Sequence, residues 1–268
     1  MSNGLFNGLD NGLHNGIYNG SLDGSKVGMF ENETVVRHKL ATAGLVLNID
    51  SGNMLSYNSG SATVYDLTLN RNNGTLTNGT TINNRGVFAF DGVNDFIDFG
   101  NGASLSFGSA NFSVSCLFKT NTVATGRKTL LNKFDFNPSI TPEIGFYIDI
   151  LGSGIIRAAI ETNSYNYSVV DSKTYVDHLE VYYVTLTIRN NKARLYVNGI
   201  FENENTLYVG TVGTVNTTQN FTIGRRSDIL TPSFTNYFSG FVKSCQLYNR
   251  ELSNEEILNN YLAVKCVF

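Results

Sequence analysis

Charge is scarce in this chain. Lys and Arg number 19 and Asp and Glu 22 in 268 residues, 15% in all, for a net charge of −3. No basic stripe stands out, which disfavours nucleic acid as a partner, because that contact depends on clustered cations to neutralise phosphates. No apolar run approaches the roughly 18–20 residues that cross a bilayer. The amino terminus lacks the basic segment and apolar core of a secretory leader. Cys116, Cys245 and Cys266 are an odd set without CxxC spacing, so the common zinc and redox motifs are missing. Cys116 and Cys245 fall in apolar strand-like runs, where a buried free thiol is expected, with a disulfide between two of the three as the alternative. Histidine is limited to His14, His38 and His178. Without a Gly-x-Ser-x-Gly motif they argue against a nucleophilic triad, and no Gly-rich phosphate loop precedes a helix. Proline occurs three times and tryptophan not at all.

Glycine, asparagine and the smaller aromatics are what the chain has in quantity: 26 Gly, 35 Asn, 14 Tyr and 18 Phe. Many turn formers beside many aromatics predict a β-rich fold. The eight Asn-x-Ser/Thr sequons, Asn78-Gly79-Thr80 among them, are what such a composition produces and are not read as glycosylation sites.

Asn-Gly recurs every four residues at the start: Asn3-Gly4, Asn7-Gly8, Asn11-Gly12, Asn15-Gly16 and Asn19-Gly20. Leu5, Leu9, Leu13 and Ile17 occupy the slot after Gly until Ser21 breaks the run. A four-residue period fits neither an amphipathic helix nor an alternating strand, nor the three-residue period of collagen. Asn and Gly both tolerate positive φ, so each pair can form a tight turn. A string of turns presenting one apolar side chain per repeat cannot bury those side chains alone. Residues 1–28 are therefore expected to be an extended Gly-rich arm that docks, through Leu5, Leu9, Leu13 and Ile17, on another protein or on copies of itself. Residues 29–43 are more charged and read as a linker, with His38 solvated.

From Gly44 onward the pattern becomes β. Leu45 to Ile49, 129–134, 144–150, 155–161, Tyr183 to Ile188, Arg194 to Val197, Phe221 to Gly224 and Phe238 to Tyr248 read as strands. Val87 to Phe90 and Phe96 to Phe99 flank Asp91-Gly92 and predict a hairpin with a long turn. Phe112 to Phe118 alternates apolar and small polar residues, the pattern of a half-buried strand. Asn190-Asn191 and Asn198-Gly199 mark further turns. About a dozen short strands predict a two-sheet antiparallel sandwich. One helix is expected near the carboxyl end, where Ser253 and Glu256 form a capping box ahead of Ile257, Leu258, Tyr261 and Leu262 at helical spacing.

Several segments resemble laminin G-like, concanavalin A-like jelly-roll domains. They are Phe88 to Phe96, Leu195-Tyr196-Val197-Asn198-Gly199, Ile223-Gly224-Arg225, and Phe238-Ser239-Gly240 running into Leu247 to Ser253. The resemblance covers 44–268 and implies an all-β, concanavalin A-like two-sheet jelly roll with one short C-terminal helix. A narrower likeness lies in Gly44 to Asn53, Ser56-Tyr57, Tyr65-Asp66-Leu67, Asn73 to Leu76 and Asn260-Tyr261 to Lys265. These are similar to a form common in tailed-phage virion proteins, some of which also begin with short Asn-Gly arms. Family members often carry Trp where Ser115 to Phe118 and Tyr182-Tyr183 stand here. Phe and Tyr fill much of that volume, while a sugar-binding surface loses its commonest stacking residue.

The resemblance raises the question of hydrolysis, which needs two carboxylates on one face at close range. The hydrolase pattern Glu-x-Asp-x-(x)-Glu is absent. Asp149 and Glu161 lie on separate candidate strands and could face each other, while Asp95 and Asp98 have odd spacing; no catalytic residue is expected. Laminin G-like folds often bind calcium at a loop rim, and Asp91, Asn94 and Asp95 could serve, though turn chemistry is their simpler role. No cofactor or metal is assigned. The expectation is a non-enzymatic phage virion structural protein (a head fibre, capsid decoration or tail-associated protein), with the arm as anchor. Its partners would be other virion proteins or copies of itself, a homo-oligomer with a trimer favoured, and neither nucleic acid nor membrane. The alternative is a carbohydrate-binding adhesin recognising host surface glycans, and a polysaccharide hydrolase stands third.

Overall fold

The computed structural model describes residues 38–83, 85–121, 126–135, 143–162, 167–189, 192–206, 213–226 and 236–265. The arm with Leu5, Leu9, Leu13 and Ile17, the Asn190-Asn191 turn and Cys266 lie outside the described residues.

Sixteen strands and one α-helix occur among the described residues. The first six strands are β1 (Leu45–Asp50), β2 (Thr63–Val64), β3 (Gly74–Thr77), β4 (Thr81–Ile82), β5 (Phe88–Asp91) and β6 (Phe96–Asp98). Next come β7 (Phe112–Thr120), β8 (Arg127–Phe134), β9 (Gly145–Leu151), β10 (Ile155–Glu161) and β11 (Tyr167–Tyr175). The chain ends with β12 (Tyr182–Arg189), β13 (Lys192–Val197), β14 (Ile200–Thr206), β15 (Thr222–Ile223), β16 (Ser239–Tyr248) and α1 (Asn254–Val264). They build two antiparallel sheets. One has the order β14-β13-β12-β7-β16-β5-β4, with β1 also pairing β16; the other runs β11-β10-β9-β8-β15-β6-β3-β2. This is the expected jelly-roll-like sandwich.

The core lies between the sheets and follows from strand alternation. Val114, Cys116 and Phe118 of β7 and Cys245 and Leu247 of β16 point inward from the first sheet. Phe146, Ile148 and Ile150 of β9 and Ile156, Ala158 and Ile160 of β10 meet them from the second. With no indole available, phenylalanine fills the volume: Phe107 stacks on Phe112 at 4.7 Å, and Phe146 sits 5.0 Å from Phe112. Cys116 and Cys245 are opposite one another in register, buried and free. Burial, and then the neighbouring thiol of Cys245, push the Cys116 thiol well up.

Two sequence expectations need correction. Phe88 to Phe90 and Phe96 to Asp98 do not form a hairpin. β5 pairs β16 and β4 in the first sheet, whereas β6 pairs β15 and β3 in the second. The turn between them hands the chain from one sheet to the other. Gly92 makes this corner possible, with φ of +82° and a Cβ position only 2.7 Å from Ser239 Cβ. The strand at Phe112 is not half-buried either, because both its faces are covered: Ser113 and Ser115 are fully buried. Ser113 Oγ donates to Arg250 O at 2.9 Å and accepts from Leu252 N at 2.9 Å, while Ser115 shares a 2.9 Å bond with Thr185. The small polar residues face a lid rather than water.

That lid is α1 and the segment before it. Ser253 caps the helix, accepting from Glu256 N, while Glu256 returns a bond to Ser253 N, the expected capping box. Ile257 packs with Tyr196, Tyr248 and Leu252, and Asn260 donates to Tyr248 Oη at 3.0 Å. The Asn198-Gly199 turn, with φ of 53° and 79°, closes β13 on β14 and presses against Leu258. Residues before β1 join the same lid, through Ala41 N to Asn260 Oδ1 at 2.8 Å and His38 Nδ1 with Asn259 Oδ1 at 3.0 Å.

Two sheet edges are also closed against each other. Glu202 of β14 accepts from Lys173 N and Thr174 N of β11 at 2.7 and 2.8 Å, and from Thr174 Oγ1 at 2.7 Å. Asn203 and Asn205 donate to Asp171 O and Val169 O.

Candidate functional site

The one α-helix among the described residues packs on the first sheet, and alternation on the second sheet turns polar and aromatic side chains away from the core, Phe134, Tyr147, Asp149 and Ala159 among them all buried. Since Phe146, Ile148 and Ile150 enter the core, Tyr147 and Asp149 must leave it; since Ile156, Ala158 and Ile160 enter, Arg157, Ala159 and Glu161 must leave. Phe134, Tyr147 and Ala159, with Val169 against them, make a small apolar cluster apart from the core. Phe134 and Tyr147 meet edge to face at 5.3 Å, and Tyr147 Oη lies 3.5 Å from Tyr167 Oη. Beside them a depression of about 300 Å³ is lined by Phe134, Glu143, Tyr147, Glu161 and Tyr167.

One half of this face is a charge ladder set by register. Asp149 and Asp171 both stand opposite Arg157. Arg157 holds Asp171 through two 2.8 Å bonds, and Arg127 Nε lies 3.2 Å from Asp149 Oδ2. The Arg127 guanidinium also sits 5.6 Å from the Tyr147 ring centre. Burial pushes the Asp149 carboxyl up to about 6; the Thr129 hydroxyl, then Arg127, Arg226 and Arg157, pull the other way. The other half contains Glu161. Burial, and then the Glu143 carboxylate, push its carboxyl up to about 7. Burial raises the Tyr147 hydroxyl as well, so that it stays a neutral donor.

Asp149 and Glu161 share this face but do not form a pair. Asp149 is opposite Arg157 and Glu161 opposite Gly145, a separation of four strand positions, or roughly 13 Å. Glycoside hydrolysis needs about 5–5.5 Å with retention or 6.5–9.5 Å with inversion. The carboxyl that Glu161 does neighbour is that of Glu143. Asp91 and Asp95 serve the inter-sheet corner: Asp91 Oδ1 accepts from Val93 N and Asn94 N, and Asp95 Oδ2 from Asp91 N. Asp98 accepts from Gly100 N and Asn220 Nδ2. Among the described residues no group of three or more His, Cys, Asp or Glu side chains has the arrangement to hold a metal ion. His178 is exposed in the link between β11 and β12.

Phe134, Glu143, Tyr147 and Tyr167 were not singled out by sequence. Their signal was the aromatic that alternation turns outward on the strands either side of β10, Tyr147 on β9 and Tyr167 on β11. It was muted because β11 itself went unassigned.

Comparison with known proteins places this geometry in a family. The family model described as the concanavalin A-like lectin/glucanases superfamily, of laminin G type, matches residues 91–258. No curated protein matches the chain in sequence. Among solved structures, the binding domain of Paraclostridial Mosquitocidal Protein 1 is similar at 14% identity and a TM-score of 0.64, over 81% of this chain and 52% of that one. A Trypanosoma rangeli sialidase in complex with sialic acid aligns at 18% identity and 0.63, over 85% and 34%. The receptor binding domain of botulinum neurotoxin C/D mosaic serotype aligns at 17% and 0.61, over 82% and 51%. The chain thus spans about a third to a half of the solved proteins it matches, and at these identities the likeness is one of fold. The chain belongs to the concanavalin A-like lectin/glucanases superfamily.

Proposed function

We propose that this superfamily member is a non-catalytic glycan-binding domain, carried on a virion by its amino-terminal arm. The observation that carries the binding reading is the depression on the outer face of the second sheet. Tyr167, 43% exposed at its edge, offers the apolar stacking surface that a sugar's C–H face needs, and Glu161 and the Tyr167 hydroxyl offer polar partners for hydroxyls. The described neighbours lend support, since one is a toxin's receptor binding domain and another holds sialic acid. A bacterial polysaccharide array probed with the full chain and with Tyr167→Ala tests it. Retention of at least one glycan that the variant loses is expected, and no binding anywhere would sink the reading. Reducing-end release should be nil. Release abolished by Glu161→Gln would overturn the non-catalytic assignment.

The virion reading rests on the Asn-Gly repeat, whose periodic Leu5, Leu9, Leu13 and Ile17 need a surface to dock on, and on the order of the jelly-roll motifs. Each side chain is worth up to about 1.5–3 kcal/mol if fully buried, less the ordering cost of a Gly-rich backbone. Particles assembled with a chain lacking residues 1–28 should be depleted of it; normal incorporation would refute the anchoring role.

A further inference from the structure

The inner side of α1 is spent on the first sheet, where Ile257 and Asn260 are buried. Its outer side carries a stripe of a different kind. Glu255, Leu258, Leu262 and Lys265 follow one another at spacings of three, four and three, which sets them on one helical face. Lys265, the C-cap, keeps helical dihedrals and so continues the row. Glu255 and Lys265 are exposed, Leu258 is 42% exposed and Leu262 half-buried. The β13–β14 turn extends this surface sideways. A Cβ at Gly199 would stand 2.9 Å from Leu258 Cδ1 and 3.5 Å from Tyr261 Cβ, so the turn lies against the helix. Ile200 and Phe201 come next in the chain and are 66% and 46% exposed. Tyr196 ties them to the start of α1: its ring meets Phe201 edge-on at 5.6 Å, and its hydroxyl donates to Asn254 Oδ1 at 2.9 Å. Single exposed apolar side chains are ordinary, whereas a contiguous strip of them marks a contact surface.

The stripe is complementary to itself. Glu255 and Lys265 stand symmetrically about position 260, and so do Leu258 and Leu262. A two-fold axis through that position runs a second helix antiparallel to the first. It sets each Glu255 against the partner subunit's Lys265 and each Leu258 against the partner subunit's Leu262. A parallel arrangement would set like charges together. We propose that the outer face of α1, with Ile200 and Phe201 beside it, is a two-fold contact on which a second copy of this chain docks. One 11-residue helix and a turn are small beside a standard interface of about 1,600 Å², so the pair is reversible. The apolar strip supplies the attraction and the rim charges set the direction. Because α1 lies on the first sheet and the depression on the outer face of the second, pairing leaves both depressions uncovered. A dimer then presents two of them to a repetitive surface.

Sedimentation equilibrium of the full chain at about 10–300 μM tests this, with a reductant present so that Cys266 makes no bridge between copies. A reversible monomer–dimer equilibrium is expected. Leu258→Asp should weaken it at least tenfold. Glu255→Lys and Lys265→Glu should each weaken it about three- to tenfold, with circular dichroism showing that the variants stay folded. An equimolar mixture of these two variants should pair as tightly as the unaltered chain, because both charge contacts re-form in the mixed dimer. An assembly held by the arm would respond to none of these changes. A monomer throughout, a trimer, or a dimer that no substitution weakens overturns the inference. So does a mixture that fails to recover, since recovery is what an antiparallel two-fold contact requires. If Leu258→Asp does not fold, the exposed charge variants and their mixture decide alone.

Discussion

The two sheets of this sandwich turn their outer faces to different tasks. The first is roofed: α1 and the preceding segment lie on it, even its serines are buried, and Ser113 is bonded to the roof. The second carries rings, arginines and carboxyls in registered rows from β8 to β11, buried along β9 and exposed at Tyr167 of β11. The roofed face holds the fold together, and the second exposes Tyr167 beside its depression. A strand pattern of alternating apolar and polar residues therefore has two meanings in one molecule, and only the cover tells them apart.

Breaking the roof should have the largest effect. Ile257→Ala, at a fully buried position, is expected to cost about 2–5 kcal/mol in urea unfolding, with sugar affinity unchanged wherever the protein stays folded. The reverse pattern is expected at the exposed ring of the second face. Tyr167→Ala, 43% exposed, should move stability by less than about 0.5 kcal/mol while reducing glycan affinity tenfold or more in calorimetry. A stability loss at Tyr167 matching that at Ile257 would erase the contrast. Ser253→Ala removes one half of the capping box and should lower stability by about 0.5–2 kcal/mol, again without touching affinity.

The smallest effect, and the sharpest, is on pH dependence. On the second face, burial holds the Glu161 and Asp149 carboxyls up at about 7 and about 6, above their ordinary 4.5 and 3.8. Each binds its proton more tightly when folded, so its contribution is complete below the ordinary value and is lost as pH rises through 6 and 7. Glu256 of the roof is held down at about 2, chiefly by the hydrogen bond from Arg250. Its contribution is present above 4.5 and is lost as pH falls toward 2. The faces should thus respond to acid with opposite sign, and urea midpoints should peak between these windows. Glu161→Gln should flatten the alkaline side of that curve and Glu256→Gln the acidic side.

The helix and its capping box were legible because their determinants are local: Ser253, Glu256 and a short apolar period. So were the strands at Leu45, Phe112, Gly145, Ile155 and Tyr182, where alternation is strong. The pairing of β5 with β16 was not legible. A turn sequence such as Asp91-Gly92 specifies a change of direction but not which sheet receives the chain, and the partner strand lies about 150 residues away in sequence. The site was half legible. Asp149 and Glu161 were identified as the carboxylates to watch, but their separation depends on the register of β9 against β10. The rings that surround Glu161 depend on β11, whose run Tyr167–Tyr175 carries too many polar residues to announce a strand.

The side-chain bonds from Glu202, Asn203 and Asn205 to the backbone of β11 reach beyond the single molecule. An unpaired strand edge is a template on which a neighbouring chain can extend the sheet. Here side chains of β14 take up backbone groups along the β11 edge, and β4 and β2 at the far ends of the two sheets are only two residues long. Crowded side by side, copies of this domain would find the β11 edge already occupied, so that edge should not seed a shared sheet.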